Sequence, residues 1–320
     1  MTIQWYPGHM NKARKAIAEA LPTKDVVLEV LDARMPRASA NPVLGELCAH
    51  KACIKILSKS DLADPEVTKA WIRYLEQAAS AGGDGKVAAI ALTTARPGEI
   101  RAKIPELCKR LVPHRTGPGK SVRAMVVGIP NVGKSTLINT LMERKVTKVG
   151  DEPAVTKSQQ LVTLKSGMTL SDNPGILWPR SDIDSDATMR LALGGAVPDT
   201  VMDYEHVGLF AAEFFMARYA PLLRARFKLE ELPGSPLETL RAIGRKRGCV
   251  RSGGVIDLHK AGDVLVHEFR NGTLGRISLE APDDRDRAAQ GARTAQGDRA
   301  AQGDLETPGD DPEAGPPSDP

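Results

Sequence analysis

Gly128-Ile129-Pro130-Asn131-Val132-Gly133-Lys134-Ser135 follows the apolar run Arg123 to Val127 and opens a helical stretch, Lys134 to Met142. Strand, glycine-bounded loop, Lys-Ser and helix in this order fit G-x-x-x-x-G-K-[ST]. Backbone N–H groups of such a loop and of the helix N-terminus converge on phosphate oxygens. Lys134 brings a mobile positive charge to the β- and γ-phosphates, and Ser135 brings a hydroxyl to Mg²⁺. Asn131, Val132, Gly133 and Thr136 complete the phosphate cradle.

Three further elements acquire meaning from this loop. Asp172-Asn173-Pro174-Gly175 ends a short strand, Met168 to Ser171, forty-odd residues downstream. Asp172 at a strand end suits a metal held through water, and the Gly175 N–H suits a γ-phosphate. Thr156, in a polar segment flanked by glycine and proline, offers a hydroxyl to Mg²⁺ when that segment closes; the other reading is a surface threonine. Upstream of the loop, Ser58-Lys59-Ser60-Asp61 ends the apolar run Cys53 to Leu57. A carboxylate there accepts two hydrogen bonds from guanine N1–H and N2–H₂, which adenine cannot donate, while the Lys59 stem lies along the base. Thr93-Thr94-Ala95, after the run Val87 to Leu92, offers backbone to the guanine carbonyl.

Asp25 to Leu31, Cys53 to Leu57, Val87 to Leu92 and Arg123 to Val127 read as buried strands, with helices at Pro65 to Ala79, Pro97 to Leu111 and Lys134 to Met142. Leu161 to Lys165 and Met168 to Ser171 form a hairpin around Ser166-Gly167. This alternation predicts an α/β fold with a mostly parallel sheet covered by helices, closing near Trp178. Asn11 to Leu21 reads as a helix before the first strand. Beyond Trp178, Ala187 to Leu193, Val207 to Tyr219, Pro236 to Arg245 and Asp257 to Asn271 read as helices. The expected division is 1–178, 179–280 and 281–320.

The last forty residues hold ten acidic and four basic side chains, leaving the rest of the chain with 40 basic and 30 acidic. That tail has too few large apolar groups to offset the entropy of ordering and is expected to be disordered. A basic body suits a polyanion partner, although Lys and Arg also make an ordinary solvated surface. Cys48, Cys53, Cys108 and Cys249 lack C-x-x-C spacing, so neither a disulfide framework nor a zinc site is expected. No apolar stretch reaches about eighteen residues, and a cytoplasmic protein without a membrane span, monomeric in solution, is expected.

Taken together, these motifs resemble the circularly permuted GTPase family that includes the bacterial ribosome biogenesis GTPase A. The likeness runs over residues 3 to 280. Trp5-Tyr6-Pro7-Gly8-His9-Met10 with Lys12-Ala13 resembles the family's first signature, and Asp32-Ala33-Arg34-Met35-Pro36 with Ser39 and Asn41-Pro42 its second. Ser58 to Asp61 stands where the family has N-K-x-D, Thr156 where it has its switch threonine, and Asp172 to Gly175 where it has D-T-P-G. The resemblance implies a P-loop NTPase with its base-reading element ahead of the phosphate loop, and a smaller helical C-terminal domain that engages ribosomal RNA. It implies binding of GTP and GDP with Mg²⁺, hydrolysis by in-line attack of water, and a role in late assembly of the large (50S) ribosomal subunit precursor. No DNA partner is expected.

Ser58 replaces the family's asparagine, and the shorter side chain is expected to weaken guanine affinity while Asp61 keeps the preference. Ile176 follows Gly175 where many GTPases place the glutamine that orients water, so turnover alone is expected to be slow. The resemblance nominates His9 to approach the γ-phosphate when a ribosomal partner orders its segment; packing or an RNA contact is the alternative. Asn131 stands where related GTPases are thought to hold K⁺, or it bridges the loop structurally. Arg34 either touches RNA or holds its own loop through Asp32. Arg241, Arg245, Lys246, Arg247 and Arg251 form the densest basic cluster of the second domain, suited to phosphate contacts. Two other readings are a related permuted GTPase of small-subunit assembly, disfavoured by the short N-terminus and scattered cysteines, and an RNA-binding scaffold that uses nucleotide for stability.

Overall fold

The structure, a computed structural model, describes residues 7–81, 87–143, 160–172, 177 and 185–282. It opens with helix α1 (Pro7–Ala20). The helix starts earlier than its apolar spacing indicates because proline is favoured in a first helical turn. Strand β1 (Val26–Asp32) is buried at every position. Two short helices follow, α2 (Pro36–Ser39) and α3 (Pro42–Cys48). The sequence reading assigned neither. The second begins at a proline, and the Asn41 side chain caps it by accepting the Val43 N–H at 3.0 Å.

The chain continues through β2 (Ala52–Ser58), α4 (Pro65–Ala81), β3 (Val87–Ala91), α5 (Pro97–Leu111), β4 (Arg123–Val127) and α6 (Lys134–Met142). A hairpin of β5 (Gln160–Thr163) and β6 (Thr169–Asp172) turns through Gly167 at φ +80°. The strand order is β3-β2-β1-β4-β6-β5. Every pairing is parallel except that of β5 with β6, so the sheet is mixed, with its antiparallel strand at the edge.

Both faces of the sheet are covered, which is why its central strands read as unbroken apolar runs. Val26, Leu28 and Val30 point into a core shared with Ile100 and Ile104 of α5 and Leu137 and Ile138 of α6. Val27 points the other way, into a cluster with Ile17, Leu21, Leu44, Met125 and Val127.

After the hairpin come α7 (Ser185–Gly194), α8 (Tyr204–Arg218), α9 (Ala220–Phe227), α10 (Pro236–Arg247) and α11 (Leu258–Arg270). Asp203, Ser235 and Asp257 cap α8, α10 and α11 through their side-chain oxygens, and Gly248 ends α10 at φ +68°. Helix α9 was not legible in the sequence, where Val207 to Tyr219 reads as one segment; a new helix starts at once because Pro221 sits in its first turn. Helices α8 and α11 approach closely at Gly208 and Gly262, where a β-carbon on Gly262 would lie 2.0 Å from the Tyr204 carbonyl oxygen. By contact the chain divides after Ala281. The end of the sheet domain expected near Trp178 lies outside the described residues, as does the acidic tail from residue 283 onward. Among the described residues no helix is long and apolar enough to cross a membrane.

Candidate nucleotide-binding site

The phosphate loop leaves β4 at Gly128, whose φ is +148° and where a β-carbon would sit 2.5 Å from the Val30 carbonyl oxygen. Only glycine lets the loop emerge so close to β1. Asn131 (φ +54°) and Gly133 (φ +106°) turn the backbone before α6 begins. Lys134 is buried, and its Nζ donates to the Ile129 carbonyl at 2.7 Å. Burial lowers the Lys134 pKa to about 8, against the opposing attraction of Asp172. Asp172 is fully buried at the end of β6. Ser135 and Thr136 are half-buried in the first turn of α6.

Parallel pairing puts the ends of β2 and β3 beside this loop. The Ser58 Oγ lies 2.6 Å from the Val132 carbonyl oxygen and 2.9 Å from that of Leu31, so one hydroxyl proton serves the phosphate loop and β1. Lys59 holds φ +54° and donates from Nζ to Asp32 Oδ2 at 3.0 Å. Asp32 is in turn held by Arg34, from Nε at 2.9 Å and Nη2 at 2.8 Å. Burial pushes the Asp32 carboxyl upward in pKa, but Arg34 and Lys59 outweigh it and keep it well below the usual carboxylate range. A cavity of 230 Å³ is lined by Ser58, Lys59, Asp61, Thr93 and Thr94 together with Gly133 and Thr136. The two ends of the expected ligand, base and phosphates, thus have their candidate residues in one place, at the carboxyl ends of parallel strands where open α/β sheets bind ligands.

Thr156, Asn173, Gly175 and Ile176 are outside the described residues, and of His9 only the backbone, in the first turn of α1, is described. The Asn131 Nδ2 donates to the Gly195 carbonyl at 2.9 Å, tying the phosphate loop to the end of α7. Of the two readings of Arg34, the structure selects the internal one. Its side chain is 1% exposed, its guanidinium pairs with Asp32, reaches the Gly194 carbonyl at 3.3 Å, and stacks 4.6 Å from the Phe269 ring centroid. In the basic cluster, Arg241 pairs with Glu238, Arg247 with Glu268 and Arg251 with Asp257, while Arg245 and Lys246 are exposed at the end of α10.

Sequence reasoning missed Asp32 as the anchor of Lys59, because pairing across 27 positions depends on the β1–β2 register that sets Asp32 opposite Ser58. It also missed Gly194 and Gly195. Their adjacency is a visible signal of close backbone approach, and a β-carbon on Gly194 would meet Met35 Cε at 2.0 Å.

The donor set suits a hard divalent cation. The Ser135 hydroxyl and Asp172 carboxylate are oxygen ligands of the kind Mg²⁺ takes beside water and phosphate. Among the described residues no group of three or more His, Cys, Asp or Glu is placed to hold a metal by itself.

Sheet, loop and cavity define an α/β P-loop GTPase fold. A family model described as "50S ribosome-binding GTPase" matches residues 123–197. The chain is 40% identical over 291 residues to ribosome biogenesis GTPase A of Bacillus cereus, a match covering 89% of this chain and 95% of that one. It is 32% identical over 301 residues to mitochondrial ribosome-associated GTPase 1 of Mus musculus, covering 87% and 90%. GDP-bound and GNP-bound structures of YlqF from T. maritima align at 28% identity with a TM-score of 0.59, covering 84% and 85% of this chain and 100% and 99% of theirs. The chain belongs to the ribosome biogenesis GTPase A family.

Proposed function

We propose that the protein binds GTP in the cavity between the phosphate loop and the β2 and β3 loops, hydrolyses it to GDP and phosphate, and acts in late assembly of the large ribosomal subunit. The observation that carries this reading is a cavity lined by both Asp61 and the phosphate-loop residues Gly133 and Thr136. Asp61 accepts from guanine N1–H and N2–H₂, and Lys59, steadied by Asp32, lies along the base. The elements run in permuted order: the base-reading loop precedes the phosphate loop, with the helices from α7 onward as the ribosome-facing part.

Phosphate oxygens replace the Ile129 carbonyl as partners of the Lys134 amine, and loop N–H groups share their charge. Ser135, Thr156 and Asp172 would hold Mg²⁺, which when bound neutralises charge developing on the phosphates. The attacking water oxygen bonds to the γ-phosphorus as the bond to the β–γ bridging oxygen breaks, and GDP leaves. The water protons pass to phosphate and solvent. Ile176 cannot orient that water, so turnover is slow alone; His9, at the start of α1, is the group assigned to approach when a ribosomal partner orders the segment. The Asn131 amide nitrogen is committed to Gly195, while its amide oxygen has the chemistry of a K⁺ ligand. Arg245 and Lys246 are the exposed cations offered to ribosomal RNA.

The test is the GTP hydrolysis rate in K⁺ and in Na⁺, with and without purified large subunits, using ATP as control. Strong GTP-specific stimulation by the subunit is the expected result. An unchanged rate with large subunits in both cations would contradict the assembly role.

A further inference from the structure

The loop proposed to read the base is held from outside the sheet. Beyond α11 the chain turns at Gly272 and Gly275 and runs back across residues 60 to 64. Arg276 donates from Nη2 to the Ser60 carbonyl at 3.0 Å and from Nε to the Ala63 carbonyl at 2.9 Å. The Ile277 N–H donates to the Leu62 carbonyl at 3.0 Å, and the Ser278 Oγ accepts the Asp64 N–H at 3.1 Å. A β-carbon on Gly272 would lie 2.6 Å from Leu62 Cδ2. Within the loop's own half of the molecule, the corresponding ties are the Leu62 N–H to the Lys59 carbonyl at 2.9 Å and the Ser60 N–H to the Leu92 carbonyl at 3.3 Å.

The residues on either side of Asp61 are therefore fixed by a segment more than two hundred positions away. Arg276 is exposed, so its role is not core filling; its guanidinium spends two donors on two carbonyls that flank the acceptor residue. Bidentate recognition of guanine fails if the carboxylate is displaced by a fraction of its hydrogen-bond length, because alignment as well as distance decides the bond.

We propose that segment 272–280, with Arg276 at its centre, is a positioning element for guanine recognition, acting through the backbone of residues 60 to 64. This rests on the reading of Asp61 as the guanine acceptor. Because the segment continues directly from α11, base occupancy and the seating of that helix are linked reciprocally.

The experiment measures equilibrium affinity of the full chain for GTP, ITP and ATP, with thermal midpoints of the free protein, for wild type, Arg276→Gln, Arg276→Lys and Ser278→Ala. ITP lacks the 2-amino group, so the GTP/ITP ratio reports the second hydrogen bond to Asp61. Arg276→Gln is expected to weaken GTP by about 3- to 10-fold and ITP by less, narrowing the ratio, with Arg276→Lys between the two. Ser278→Ala, which removes a different tie to the same loop, narrows the ratio in the same direction and decides the matter should Arg276→Gln fail to fold. A wild-type ratio in the variants, or equal loss of both nucleotides in step with a lowered thermal midpoint, would overturn the inference. A wild-type protein that does not prefer GTP to ATP would instead overturn the base-reading role of Asp61.

Discussion

Lys134 carries its charge in a buried place, and that gives the free protein a pH dependence. Its pKa is about 8 when folded against 10.5 for the unconstrained side chain. The folded state sheds the proton first, so between these two values the unfolded state binds more protons and stability rises with pH. Below about pH 8 both states are protonated and the native state bears the full cost of the buried ammonium. Urea unfolding of the nucleotide-free protein from about pH 7.5 to about pH 10.5 is expected to show this rise, and Lys134→Met to remove it. Bound phosphate supplies opposite charge and raises the folded pKa, so saturating GTP flattens the same profile. In the loop after β2, Asp61→Asn replaces a double acceptor by one acceptor and one donor. GTP affinity should fall by about 100-fold or more, while xanthosine triphosphate, which offers an oxygen in place of the 2-amino group, should gain; nucleotide competition measures both. Asp32→Asn leaves Arg34 and Lys59 without their shared carboxylate, and about 3–5 kcal/mol of stability should be lost in denaturant titration.

The elements differ in how far the sequence disclosed them. Arg123–Val127 and Lys134–Met142 form strand and helix at the residues their pattern indicates, since an apolar run, a glycine loop and a periodic segment all agree there. The short helices α2 and α3 were not legible because four and seven residues are too few to show a period. Arg34 was ambiguous for a related reason: its burial depends on carbonyls at Gly194, Phe269 and Arg270, which no local pattern joins to it. The crossing of α8 and α11 was equally hidden, although its glycines were in view. Gly262→Ala places a methyl group against the Tyr204 backbone, which cannot turn aside as a side chain would. A loss of about 1–3 kcal/mol in thermal or chemical unfolding is expected.

At the scale of the molecule, the nucleotide cavity and the C-terminal helices share their supports. Asn131 joins the phosphate loop to Gly195, Arg34 joins Asp32 to α7 and α11, and Arg270 donates to the Ala192 and Leu193 carbonyls that end α7. Movement of either side changes the bonds of the other, so under the proposed function helices α7 to α11 would report the nucleotide state to a bound RNA. The exposed pair Arg245 and Lys246 is where that report would be read. Arg245→Ala with Lys246→Ala is expected to lower affinity for large-subunit RNA and flatten its salt dependence, by a slope of about 1 for each phosphate no longer neutralised. GTP turnover of the free protein should not move, since neither residue lines the cavity; a salt titration of RNA binding beside a steady-state hydrolysis assay checks both.

The most direct test of the guanine cavity is calorimetric titration of the nucleotide-free protein with GTP and with ATP at the same Mg²⁺ concentration. An Asp61 carboxylate that accepts two guanine N–H groups predicts GTP binding tighter by at least about 100-fold. Equal affinity for the two nucleotides would contradict the account.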